Sequence, residues 1–218
     1  MGSLKTDWDA YYARPGRFTG ITRTITTRKL RRCLRMYSGA LGEARVLELG
    51  GANSCFYEDI RDRFRPARYV IVDDNRAGLD LFARCHPDAA DVELLERDVR
   101  DMPPPDAGSR VDICFSVGLI EHFDECGTRA AIRAHFEAVR PGGLVILFFP
   151  TPTWLYGIVR KAAERLGVWD FPDERPLGVR EVVTEVERHG RVLFGSVNWW
   201  IVLTQGIVVA ESCGPGPG

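Results

Sequence analysis

After Gly42 the chain alternates between short β-branched runs and amphipathic stretches. The runs ARVLEL (44–49), RYVIVD (68–73), VELLE (92–96), VDICFS (111–116) and LVILFF (144–149) are apolar nearly throughout, the pattern of strands buried on both faces. Between most of them the spacing predicts helices over Ser54 to Phe64, Arg76 to Arg84 and Thr128 to Val139, the last closed by the turn Arg140-Pro141-Gly142-Gly143. Such alternation predicts a parallel sheet with helices on both faces. The end of the chain breaks the rhythm. A helix around Val179 to Arg188, capped by Gly190, leads into RVLFGSVNWW and IVLTQGIVVA with almost nothing between them, and so short a connection requires an antiparallel hairpin. The expected fold class is therefore α/β: a doubly wound, mostly parallel sheet whose last strand is antiparallel.

Two regions stand outside that rhythm. Residues 1–42 form a helical, basic segment: Ala13 to Gly42 holds no acidic residue but contains Arg14, Arg17, Arg23, Arg28, Lys29, Arg31, Arg32 and Arg35. Leu30, Leu34, Tyr37 and Leu41 recur at helical spacing, which leaves Arg28, Arg31, Arg32 and Arg35 on the wet side. The second is an insertion over 151–178 within a core of 43–210, with Leu155, Ile158, Val159, Ala162 and Leu166 on one stripe of a helix. The tail 211–218, ending in GPGPG, is expected to be disordered.

Composition narrows the class. The 218 residues, net charge −1 and 45% hydrophobic content fit one globular domain with a full core. No apolar run reaches the roughly 18 to 20 residues that span a bilayer, and MGSLKTDWDAYY lacks a signal peptide's pattern, so a cytoplasmic protein is expected. The six cysteines contain no C-x-x-C pair and read as reduced packing residues, with neither a zinc site nor a disulfide framework. The arginine helix suits an anionic acceptor, but a charge run of this kind is more often simply a solvated face; the near-zero net charge speaks against a nucleic-acid partner.

In an open α/β sheet, ligands bind beyond the carboxyl ends of the strands. After the first strand comes Glu48-Leu49-Gly50-Gly51-Ala52-Asn53-Ser54, where glycine permits a tight turn and close approach of backbone N–H groups to a ligand. Glu48 would repel a pyrophosphate but can accept from an ammonium group or attract a sulfonium. Asp73-Asp74-Asn75 closes the second strand, roughly 25 residues on, at the spacing of an acid that accepts ribose hydroxyls. Asp98 and Val99 follow the third, where Asp98 could accept from an adenine amino group. Ser116 to His122 follow the fourth and bring an imidazole to the same pocket. His122 suits a general base that takes a hydroxyl proton, or a packing residue bonded to backbone; Glu121 reads as a structural acceptor. His86, His135 and His189 read as surface or packing residues, and no metal is expected, since the Asp73–Asn75 run sits at the ribose end. Tyr156 is followed four residues on by Arg160, not lysine, which removes the short-chain dehydrogenase signature.

Taken in order, VLELGGANS, YVIVDDN, ERDVRDMP, VDICFSVGLIEHF and VRPGGLVILFFP resemble the class I S-adenosylmethionine-dependent methyltransferases, over about Ala44 to Ala210. The resemblance implies a seven-stranded sheet of order 3-2-1-4-5-7-6 and S-adenosyl-L-methionine as cofactor. It assigns Glu48, Gly50, Gly51 and Asn53 to the methionine part, Asp73 with Asp74 to the ribose, Asp98 and Val99 to the adenine, and Ser116 with Val117 to the wall beside the methionine chain. Ala52 and Ser54 replace the family's usual second and third glycines. It further implies a lid and acceptor pocket from Trp8, Tyr11, Tyr12 and Arg23 with Trp154, Tyr156, Trp169 and Phe171, in which Tyr12, Arg23, Trp154 and Tyr156 touch the acceptor. The expected reaction is methyl transfer to a small-molecule or sugar acceptor, at oxygen; the alternatives are a catalytically silent cofactor-binding subunit, or an N- or C-methyltransferase of a natural-product pathway. The hairpin edge or the N-terminal helix could support a homodimer.

Overall fold

The computed structural model describes residues 5–13, 19–37, 42–89 and 91–214. Arg14, Arg17, Leu41 and the last four tail residues lie outside them. A helix α1 (Trp8–Ala13) and a long helix α2 (Thr19–Tyr37) precede the sheet. Then follow β1 (Arg45–Leu49), α3 (Tyr57–Phe64), β2 (Arg68–Asp73), α4 (Arg76–Cys85), β3 (Val92–Glu96), β4 (Val111–Val117), α5 (Glu125–Ala138) and β5 (Val139–Pro150). The chain ends with α6 (Trp154–Arg165), α7 (Val179–Val186), β6 (Gly190–Asn198) and β7 (Gln205–Ser212). The strands form one seven-stranded sheet in the order β3-β2-β1-β4-β5-β7-β6. β1 to β5 run parallel, and β7 inserts antiparallel between β5 and β6. This is the doubly wound architecture that the hydrophobic pattern and the family resemblance anticipate.

Period-two alternation divides the core into two layers. Leu47, Leu49, Cys114, Val145 and Leu147 point to the face covered by α5 and α7. Val46, Ile71, Phe115, Ile146 and Phe148 point to the other, against Leu30 and Leu34 of α2, Ile60 of α3 and Phe82 of α4. The basic helix α2 is thus a core element. Arg28, Arg32 and Arg35 are exposed, but Arg31 is not on the wet side: its Nε donates to Asp59 of α3 at 3.0 Å.

Local chemistry moves several boundaries. α3 begins at Tyr57 because the Ser54 hydroxyl accepts the N–H groups of Phe56 and Tyr57, each at 3.2 Å. α5 begins at Glu125 because Asp124 accepts from Gly127 N–H at 2.7 Å. Arg140 to Gly143 bulge within β5: Val111 pairs with Val139 but Ile113 with Leu144. β3 is an edge strand and only half-buried, not covered on both faces. The apolar stripe of α6 is not buried either, with Ile158 and Leu166 exposed and Tyr156 the helix's buried residue. The sheet extends two residues into the expected disordered tail, since β7 ends at Ser212. No helix among the described residues is long and apolar enough to cross a membrane.

Candidate functional site

A cavity of roughly 300 Å³ opens at the carboxyl ends of β1, β2 and β4. Its floor is the turn after β1. Gly50 has φ +69°, and its N–H still donates to Val72 O at 2.8 Å, so the chain leaves the sheet within one residue. A Cβ on Gly50 would lie 2.7 Å from Leu119 Cδ1, and one on Gly51 would lie 2.7 Å from Ile71 Cγ2 and 2.9 Å from Glu48 Cδ. Side chains are therefore excluded and the backbone lies bare toward the cavity. Gly50→Ala combines a left-handed backbone with overpacking of about 1–3 kcal/mol, and is expected to lower the melting temperature by roughly 3–8 °C in a thermal unfolding scan.

Beneath the turn lies Glu48, 3% exposed. Its Oε2 accepts from the Ser54 and Tyr69 hydroxyls, each at 2.6 Å. Burial pushes its carboxyl up to about 7, although both hydroxyl bonds pull the other way. Ser54, standing where the family has glycine, thus ties the end of β1 to the start of α3. Asp73 closes β2 and accepts from Asn75 N–H at 2.8 Å; burial raises its carboxyl to about 6, and Asp74 adds to the rise. Asp74 also borders the cavity but is exposed. Asn53 and Val117 line the wall. Tyr12 of α1 closes the space above Gly78, and α1 is fastened there by Asn75 Nδ2 donating to Asp9 at 2.7 Å. Arg23 lines the cavity beside Tyr11, with Nη2 3.5 Å from the Tyr11 hydroxyl.

Four sequence candidates fall elsewhere. Ser116 is fully buried and donates to His135 Nε2 at 2.9 Å, while His135 Nδ1 donates to Ala131 O at 2.7 Å. Burial pulls that imidazole down to about 4, so it stays neutral. Asp98 does not line the cavity: its carboxylate caps a 3-10 turn and is held by Arg100 Nε at 2.9 Å. The Val99 side chain is in the core, and Trp154 is 69% exposed and outside the cavity.

The far end of the cavity holds His122, on the 3-10 turn Ile120–His122 that follows β4. Its Nδ1 lies 3.2 Å from Asp173 Oδ1, and Asp173 also accepts from the Thr6 hydroxyl. Burial lowers the His122 pKa below its ordinary value, and the Asp173 carboxylate opposes that shift. Rings enclose it: Trp8 at 5.0 Å and Phe171 at 5.9 Å between centroids. Tyr156 lines the same end and donates its hydroxyl to Glu174. Glu121, His122 and Glu174 bring their ligating atoms within 4.8 Å of one another. Sequence reasoning missed Asp173 and Glu174, because the Phe171–Glu174 stretch has no periodicity and reaches the site only through tertiary folding. His135 did carry a signal, its place on the buried stripe of α5 with Ala131 and Ile132.

The order of this sheet is that of the class I, Rossmann-like methyltransferase fold, and a glycine cradle with two strand-end carboxylates stands at its carboxyl edge. Residues 46–143 match a family model described as a methyltransferase domain. Among solved structures the fold is similar to the N-methyltransferase NodS from Bradyrhizobium japonicum WM9 in complex with S-adenosyl-L-homocysteine, at 15% identity and TM-score 0.66, covering 96% of this chain and 94% of that one. It is also similar to magnesium protoporphyrin IX methyltransferase from Synechocystis PCC 6803 with bound S-adenosylhomocysteine, at 12% identity and TM-score 0.71 over 94% and 92% of the two chains. A third likeness, at 15% identity and TM-score 0.73 over 96% and 99%, is to the complex between the Haloferax volcanii Trm112 methyltransferase activator and a methyltransferase. No curated protein matches the sequence.

Proposed function

We propose that the protein methylates a hydroxyl of a small-molecule or sugar acceptor in the cytoplasm, with His122 as the base. The observation that carries this reading is the His122–Asp173 pair, 3.2 Å apart, in the cavity that Glu48 and Asp73 also line. S-adenosylmethionine supplies a methyl group already activated on a sulfonium sulfur. On this reading Gly50, Gly51 and Asn53 present backbone and amide groups to its amino-acid part, with Val117 as the wall. Glu48 receives the ammonium group and Asp73 the ribose hydroxyls, with Asp74 at the rim. Asp98, Val99 and Ser116 shape the surroundings and make no side-chain contact.

Asp173 accepts a hydrogen bond from Nδ1–H of His122, which leaves Nε2 as the acceptor. An imidazole held below its ordinary pKa is neutral at pH 7 and ready for the acceptor's hydroxyl proton as the oxygen bonds to the methyl carbon. Trp8, Tyr12 and Phe171 exclude water and fix the approach. Glu121, Asp173 and Glu174 beside His122 suit a neutral or cationic acceptor, which displaces the anionic one that the arginine helix suggested. All six cysteines are free, consistent with a reducing compartment. Exposed Trp199, Trp200 and Val202 beyond β6 offer the surface for a homodimer.

Methyl-labelled S-adenosylmethionine and a panel of hydroxyl-bearing acceptors test the reaction: label is expected in an O-methyl product. Label on nitrogen or carbon would refute oxygen as the target, and cofactor binding without turnover on any acceptor would leave a silent subunit. The carboxyl values give a second expectation. In the free protein Glu48 and Asp73 are raised to about 7 and about 6, so below pH 6 both are largely protonated and cannot serve an ammonium or a ribose as carboxylates. Affinity for S-adenosylhomocysteine should therefore rise with pH from 5 to about 8 and level off above, with proton release visible by calorimetry in buffers of different ionisation enthalpy. A flat profile would contradict these assignments.

A further inference from the structure

The reaction end of the cavity holds more acceptor capacity than a lone hydroxyl uses. Glu121 is 1% exposed, and its Oε2 has no hydrogen-bond partner. An orphaned buried carboxyl is costly, and a ligand donor is one way to satisfy it. Its position is fixed from the main chain, where Arg175 N–H donates to Glu121 O at 2.9 Å. Its Oε1 lies 3.9 Å from His122 Nε2. Glu174 completes the group, its carboxylate receiving the Tyr156 hydroxyl. No described arginine or lysine pairs with Glu121; the charged groups acting on it are Glu174 and Asp173, both of its own sign. Arg160 is engaged by Glu164, the Tyr156 hydroxyl and Glu174 O.

The surroundings therefore hold more lone pairs than the Tyr156 and Thr6 hydroxyls fill, with Glu121 Oε2 left unpaired, and are framed by the rings of Trp8 and Phe171. Resting on the reading of His122 as the base, we infer that the acceptor is a vicinal amino alcohol in its ammonium form, the chemical class of the amino sugars. Glu121 and Glu174 receive its N–H groups, and the adjacent hydroxyl faces His122 Nε2. A nitrogen and an oxygen on neighbouring carbons lie about one hydrogen-bond length apart, so each can reach acceptors spread over up to 4.8 Å. The aromatic faces stabilise the same positive charge. The spacing favours an ammonium over a metal ion. A divalent cation bound at about 2.1 Å draws its ligands to roughly 3.0–3.4 Å of one another, whereas Nε2 and Oε1 stand 3.9 Å apart.

The test uses the full chain saturated with S-adenosylhomocysteine. It compares trans-2-aminocyclohexanol with trans-cyclohexane-1,2-diol, which differ in one ammonium, by NMR titration at pH 7.5. The amino alcohol is expected to bind at least tenfold more tightly. Glu174→Gln and Glu121→Gln should each bring the preference below threefold, with S-adenosylhomocysteine affinity within twofold of the parent as the check on folding. Equal affinity for the two probes, or a preference that survives in both variants, overturns the inference. So does saturable Mn²⁺ binding that expels the amino alcohol and is lost in Glu121→Gln. Cofactor binding without an amine preference removes this inference alone; absence of cofactor binding removes the methyltransferase reading and this one together.

Discussion

Asp73→Ala is expected to weaken binding of S-adenosylmethionine and S-adenosylhomocysteine on the order of 100-fold, or about 2.7 kcal/mol, the larger part of two charge-assisted hydrogen bonds at about 1.5–3 kcal/mol each. The residue stands at the carboxyl end of β2, 9% exposed, and Asn75 N–H at 2.8 Å fixes its carboxylate from the side of α4. Asp74, exposed at the rim, has water to replace it, so Asp74→Ala should cost only a few-fold. The fold should survive the larger change. A carboxyl whose folded pKa is raised to about 6 stabilises the folded state at acidic pH and loses that contribution as pH rises through 6. Removing it at pH 7.5 should leave the melting temperature of the ligand-free protein nearly unchanged. Calorimetry and a thermal scan on the same samples separate the two effects, and unaltered cofactor affinity would remove Asp73 from the ribose site.

The second large effect concerns kcat. His122→Ala should lower kcat by about 10²–10⁴-fold, the usual contribution of a positioned general base, with cofactor affinity retained. Asp173→Asn keeps the shape but replaces the carboxylate that accepts the Nδ1–H hydrogen bond, so a smaller loss is expected, of about tenfold. Its pH profile should differ from the parent's in a defined direction. The Asp173 carboxylate holds the imidazole pKa up against burial, and its loss should move the acidic limb of kcat against pH to lower pH. If His122→Ala turns over within a few-fold of the parent, the imidazole is not the base. If Asp173→Asn leaves the limb in place, Asp173 does not act through His122.

The strand-end half of this cavity was legible because it is local: Glu48, Gly50, Gly51 and Asp73 line it and each sit within two residues of a strand end, and period-two runs locate strand ends well. The half around His122 was not. Asp173 comes from an insertion that leaves the sheet at Pro150 and returns where Leu177 N–H donates to Pro150 O, 2.9 Å apart, and no pattern in the intervening sequence says which side chains turn inward. Trp154 and Tyr156 show how weak composition is there, since two aromatic residues two positions apart on α6 end on opposite sides, one exposed and one buried. The Asp98 and Ser116 side chains stay off the cavity wall for a different reason. Both stand at the right strand ends, but Arg100 in one case and His135 in the other had already claimed the polar group.

Thr6 and His122, far apart in the sequence, meet on one carboxylate oxygen, that of Asp173. The segment carrying Trp8 and Tyr12 is therefore fastened by the same atom that steers the imidazole. If His122 is the base, unseating that cover takes a partner away from the carboxylate behind it. On the proposed function, loosening the N-terminal cover and weakening the base would then be one event, which spares the donor from solvent.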